Sequence, residues 1–121
     1  MRYMMLIYTK EQEGGPGAEE GERIKTAHRA LVEEAVRKGV LQAAEPLANT
    51  STATTVRMED GKALITDGPF SETKEQLAGY YILDCENLDD ALCWAARIPT
   101  GCKGGEGCVE IRPLPGYALD G

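Results

Sequence analysis

Apolar residues recur along the chain with two different periods, and these periods separate predicted helices from predicted strands. Between Glu19 and Lys38 they return every three or four positions, as on one face of a helix, and Gly39 follows where a C-terminal cap belongs. A second helix is predicted to begin after Asn87 and to end before Pro99. The pattern therefore predicts two helices, the first of them long and amphipathic.

Short runs rich in β-branched and aromatic residues predict six strands around these helices. Their predicted bounds are residues 2–9, 40–47, 52–58, 63–66, 77–85 and 108–113. The third and fourth are joined across Asp60-Gly61, which is a strong hairpin signal. The core order is strand, helix, strand, strand, helix, strand, with the hairpin inserted between the second and third core strands. This order predicts one ferredoxin-like α+β domain over residues 1–121.

Both helices of such a fold cover one face of the sheet, so the composition of the second face matters. In the first strand, and again in strand 77–85, both alternating sets of side chains are apolar. A monomer that exposed such a face would be prone to association. We therefore predict a homodimer, an α+β barrel in which two sheets face each other and leave room for a small-molecule ligand.

The charge of the chain narrows the choice of partners. The formal net charge is -7, and the sequence contains no cluster of basic residues. Both features weigh against binding to nucleic acid and to anionic membrane surfaces. No stretch approaches the roughly 20 apolar residues that a membrane span requires. The first strand does not resemble a secretory signal, so we predict a cytoplasmic protein whose partners are small molecules or other proteins.

The cysteine spacing gives no sign of a metal site. Cys85, Cys93, Cys102 and Cys108 form no C-x-x-C pair, so we predict neither a bound metal nor another cofactor. Cys85 and Cys93 are interpreted as small buried apolar residues. Cys102 and Cys108 flank a glycine-rich stretch and could form a reversible disulfide, although a reducing cytoplasm argues against a structural one.

The loop that begins at Asp67 concentrates unusual residues and is a candidate site. Gly68 permits a wide range of backbone dihedral angles, and Pro69 fixes φ at the next position. The loop should therefore hold the side chains of Asp67 and Phe70 in defined directions. Glu72 adds a further carboxylate. The structural alternative is that Asp67 starts a turn and that Glu72 is simply solvated.

His28, the only histidine of the chain, is the second candidate. Its helical neighbours are apolar, so it should point toward the sheet, where a lone histidine is often merely a packed residue. A functional interpretation pairs it with Asp67 or Glu72, because a carboxylate would orient the imidazole and suit it to general base work.

Three further candidates for binding a substrate are an arginine, one of two adjacent tyrosines and a phenylalanine. Arg112 shares one side of the last strand with Glu110, and it either pairs with that residue or binds an anionic substrate. Tyr80 and Tyr81 lie at core spacing, and either could offer a hydroxyl to a pocket. Phe70, in the loop that begins at Asp67, is the third candidate.

The same loop and the strands after it carry a motif. The residues concerned are Asp67-Gly68-Pro69-Phe70, Glu72-Thr73-Lys74-Glu75, Gly79 to Leu83, Ala91 to Ile98 and Val109 to Leu114. In these residues the chain resembles the YCII-related proteins, and among them the subset named for the DGPF signature. The resemblance implies a dimeric α+β barrel and an active-site pair of a first-helix histidine, here His28, with an aspartate. It also implies a regulatory partner connected with sigma factors.

Two hypotheses follow from these residues. In the first, an enzyme uses His28 as acid or base, Asp67 or Glu72 orients it, and Arg112 or Tyr80 binds a small polar or anionic substrate. In the second, the chain is a non-catalytic ligand-binding or interaction module in which Phe70 packs in the dimer. A cofactor-free monooxygenase or isomerase is a third, weaker alternative by analogy of fold alone.

Overall fold

The secondary structure follows the predicted order of elements. The computed structural model describes residues 1–11, 17–100 and 107–116. Its elements are β1 (Arg2–Thr9), α1 (Ala18–Arg37), β2 (Leu41–Pro46), β3 (Thr54–Glu59), β4 (Lys62–Asp67), β5 (Gln76–Asp84), α2 (Leu88–Ala95) and β6 (Cys108–Pro113). A 3-10 turn at Thr50–Thr52, which the sequence pattern does not predict, precedes β3.

Helix α1 ends as its sequence predicts. Gly39 has a positive φ of 71° and donates its N–H to the carbonyl of Val36, while Val40 donates to the carbonyl of Ala35. These two bonds form a Schellman motif, which satisfies carbonyls that the helix end would otherwise leave free. Neither helix in the described part of the chain is both long enough and apolar enough to cross a membrane.

Four strands form one antiparallel sheet in the order β2-β5-β1-β6. Strands β5 and β1 occupy its centre, and each helix connects two strands of this sheet. The order is that of a ferredoxin-like fold, so the predicted fold class is confirmed.

Among the described strands, β3 and β4 pair with each other alone and form the predicted hairpin between β2 and β5. Its turn holds Asp60 at φ 51° and Gly61 at φ 78°, the pair of positive values that a two-residue turn of this kind requires. Every residue of β4, and every residue of β3 except Thr55, is exposed. The hairpin therefore stands away from the core.

The hydrophobic core lies between the two helices and one face of the four-stranded sheet. Its members are Tyr3, Met5, Ile7, Leu31, Ala35, Tyr81, Leu83, Cys85, Ala91, Trp94 and Ile98. Cys85 is buried as expected, whereas Cys93 is exposed, so its interpretation as a buried residue is wrong. The reason is the orientation of α2, which turns Ala91 and Trp94 inward and Cys93 outward. Cys102, and with it the suggested disulfide, lies outside the described residues.

The second face of the sheet lies opposite the helices. Directly paired residues of antiparallel strands point to the same face, and Leu6 pairs with Tyr80 on one side and with Glu110 on the other. The centre of this face consists of partly buried residues, namely Met4, Leu6, Tyr80 and Ile82. Because Glu110 and Arg112 lie on the edge strand β6, the face is apolar at its centre and charged along one side.

Candidate functional site

His28 and Tyr81 form a polar pair between the first helix and the centre of the sheet. The Nδ1 atom of His28 lies 2.5 Å from the hydroxyl oxygen of Tyr81. The two rings meet edge to face, with centroids 5.9 Å apart. His28 is partly buried, whereas Tyr81 belongs to the core. The amphipathic pattern of α1 directs the histidine inward, and the alternation along β5 directs Tyr81 to meet it.

Burial keeps both groups of this pair neutral near pH 7. It lowers the pKa of His28 from the ordinary value of 6.5, and it raises the pKa of Tyr81 to about 12. In both cases loss of hydration is the cause, since water stabilises the charged form of each group. The pair is therefore a neutral imidazole against a neutral phenol.

The structure does not bring the two predicted carboxylates to His28. Asp67 ends β4 and is exposed, and Glu72 is exposed in the loop that follows. In the described residues the hydrogen bond of the imidazole goes to Tyr81, and neither carboxylate is bonded to it. The physical reason is the hairpin, which carries Asp67 away from the sheet that α1 covers. No group of three His, Cys, Asp or Glu side chains within residues 1–11, 17–100 and 107–116 is arranged to hold a metal ion.

The signature loop, which begins at Asp67 and contains the DGPF residues, is held beside β3 by hydrogen bonds of its backbone. The N–H of Gly68, which has a φ of 95°, donates to the carbonyl of Ala53 over 2.7 Å. The hydroxyl of Thr55 donates to the carbonyl of Gly68, and the guanidinium of Arg57 donates to that of Phe70. The Phe70 side chain is 76% exposed. The loop is thus held by its backbone while its aromatic ring faces outward.

Arg112 and Tyr80 lie on the opposite face of the sheet from His28. Tyr80 alternates with the buried Tyr81, and Arg112 pairs with Met4, which alternates with core residues of β1. One guanidinium nitrogen of Arg112 lies 3.7 Å from a carboxylate oxygen of Glu110. These predicted binding residues and the His28–Tyr81 pair are therefore separated by the thickness of the sheet.

Tyr81 is the site residue that the sequence did not single out. The sequence offers two adjacent tyrosines for a pocket hydroxyl, of which the enzyme hypothesis names Tyr80, and both faces of β5 are apolar. Only the position of α1 over the sheet distinguishes them. Tyr81 and Leu83 share one face of β5, but the sequence does not show which of the two faces α1 covers.

The burial of His28 makes the stability of the fold depend on pH. As the pH falls below about 7, the unfolded chain takes up a proton at its histidine before the folded chain does, so the free energy of unfolding decreases. We expect the urea midpoint to fall between pH 7 and pH 5.5, and to fall less in His28→Gln. No other histidine contributes in this interval. Equal pH dependence in both proteins would contradict the lowered pKa.

The fold and the site define a class, a ferredoxin-like α+β protein with a histidine–tyrosine pair beneath its first helix. The chain belongs to the YCII-related family, because a family model for the YCII-related domain matches residues 1–115. A relative from Rhizobium meliloti (strain 1021), described as an uncharacterized protein, is 37% identical over 118 residues, which cover 97% of this chain and 94% of the relative. The family predicted from the sequence is confirmed.

Proposed function

We propose that the protein binds a small polar molecule at the His28–Tyr81 pair and activates it there through the imidazole of His28. The observation that carries this proposal is the hydrogen bond between the imidazole and the Tyr81 hydroxyl. A neutral imidazole can accept a proton at one ring nitrogen or donate a hydrogen bond from the other, and the bond to Tyr81 fixes the orientation of the ring. Tyr81 thus takes the positioning role that the sequence pattern suggests for Asp67 or Glu72.

The proposal does not depend on the carboxylates of Asp67 and Glu72. Asp67 and Glu72 are exposed, and the contacts of Gly68 and Phe70 with β3 account for the signature loop as a structural clasp. His28 is the proposed functional group and Tyr81 its hydrogen-bond partner. Asp67 and Glu72 remain predictions from the sequence.

The assembly that we propose is a homodimer joined through the second face of the sheet. Its centre of Met4, Leu6 and Ile82 is apolar, and such a face is stabilised when a second sheet covers it. Tyr80 and Arg112 would then line a shared interior, where a guanidinium can bind an anionic group. A partner connected with sigma factors, and the cytoplasm as compartment, remain predictions from resemblance and composition.

A second candidate function is a non-catalytic interaction module. It is favoured by the exposed hairpin and by Phe70, whose ring is presented to solvent on a loop held by its backbone. Exposed aromatic rings on ordered loops are common contact residues. This candidate needs no chemistry at His28.

A thermal-shift screen separates these functions. We expect small polar metabolites that raise the melting temperature of the wild type to lose that effect in His28→Gln. Arg29→Gln is the matched control, because Arg29 is the exposed neighbour of His28 on the same helix. Hits would then be followed by NMR, which detects turnover. Metabolites that stabilise all three proteins equally would place the binding site elsewhere, and binding without turnover would favour the non-catalytic module.

A further inference from the structure

The Tyr81 hydroxyl determines which nitrogen of His28 carries the proton. Tyr81 is only 5% exposed, and in the described residues its hydroxyl has one hydrogen-bond partner, Nδ1 of His28. If Nδ1 were the donor, the phenolic hydrogen of this largely buried residue would have no acceptor among the described residues, which is unfavourable. The hydroxyl therefore donates to Nδ1, and the neutral ring carries its proton on Nε2.

The Nε2–H group is then the outward donor of the pair. It lies on the side of the ring away from Nδ1, and His28 is more exposed than Tyr81. Among the residues that the structure describes, none accepts a hydrogen bond from it. A ligand that reaches His28 therefore meets a donor and not a lone pair.

The surroundings of this donor do not suit a charged ligand. Among the described residues, burial is the cause of the lowered pKa of His28, and no neighbouring charge contributes to it. Arg112 lies across the sheet, and the nearest cations along α1, Lys25 and Arg29, are exposed to solvent. Attraction from such exposed cations is weakened by water and salt. An ion placed against His28 would lose hydration without gaining a buried counter-charge.

We infer that the site takes an uncharged ligand whose carbonyl oxygen accepts the Nε2–H of His28. This inference rests on the proposed function and narrows its substrate to neutral carbonyl compounds such as amides, esters, aldehydes or ketones. A neutral imidazole that donates to a carbonyl oxygen polarises the carbonyl bond without transferring its proton. Tyr81 is a positioning residue in this scheme, since it holds the ring in the donor form.

The tautomer is measured directly by nitrogen NMR. His28 is the only histidine, so a long-range proton–nitrogen spectrum of the untagged, labelled protein reports on it alone. We expect the proton on Nε2 in the wild type, and a mixture of both tautomers in Tyr81→Phe, which keeps the ring and loses the hydroxyl. A wild-type proton on Nδ1 would overturn the donor assignment. It would leave the proposed function standing if His28→Gln still abolished the screening hits.

The ligand class is tested with two probes of the same shape, benzamide and benzoate. We expect benzamide to shift the Nε2 signal and to bind at least about tenfold more tightly than benzoate. Lys25→Gln is the control for attraction by the helix surface, and it should leave the response to benzamide unchanged. Benzoate binding as tightly as benzamide, or no response to benzamide up to its solubility, would overturn the ligand class.

Discussion

Replacement of Leu83 by alanine is expected to lower the free energy of unfolding by about 2–5 kcal/mol. Leu83 lies on β5 and is 1% exposed, with Tyr3 and Leu41 as its partners on the neighbouring strands. The substitution removes buried apolar surface and leaves a cavity that close-packed neighbours fill only in part. Urea denaturation at pH 7.5, followed by circular dichroism, measures the loss.

Leu64→Ala is the matched control for this prediction. Leu64 lies on the hairpin and is 48% exposed, so the same change of side chain should alter the free energy of unfolding by no more than about 0.5 kcal/mol. A small effect at Leu83 would contradict the position of the core. A large effect at Leu64 would show that the hairpin is buried against another molecule in solution, which would favour the interaction module.

Much of the fold could be predicted because its signals are local. Gly39 marks the end of α1, because the positive φ at this position favours glycine. Asp60-Gly61 marks the hairpin for the same reason, since its turn requires positive φ values that glycine adopts readily and aspartate tolerates. Alternation and helical spacing located the strands and helices to within a few residues. Together these elements allow few topologies, so their order also predicted the fold class.

The site could be predicted only in part, because its geometry depends on contacts between distant residues. Spacing along α1 correctly directed His28 toward the sheet. The choice between Tyr80 and Tyr81 depends on which face the helix covers, and both faces of β5 are apolar. Asp67 is a candidate because unusual residues are concentrated in the loop that it begins. Nothing in that loop shows that β3 and β4 pair apart from the four-stranded sheet and carry Asp67 away from it.

The largest effect on assembly is expected from Leu6→Glu. Leu6 lies at the centre of the second face, directly between Tyr80 and Glu110 on the two neighbouring strands. A carboxylate there would lose hydration in a sheet-to-sheet interface, which opposes dimerisation. It would also lie beside the carboxylate of Glu110, and an interface that buries two like charges is less stable still. We expect sedimentation velocity to show a dimer for the wild type and a monomer for Leu6→Glu.

Leu92→Glu is the matched control for the effect on assembly, because Leu92 is 49% exposed on α2 and lies outside the core. It should sediment as the wild type does, and far-ultraviolet circular dichroism should show both variants folded. A monomeric wild type would refute the dimer.

If Leu6→Glu instead remains a dimer, a different surface must join the two copies. The exposed Ile65 of the hairpin is then the residue to change, because it pairs with Val56, which is also exposed, on one side of that hairpin. Dissociation by Ile65→Glu but not by Leu6→Glu would move the dimer interface from the sheet to the hairpin.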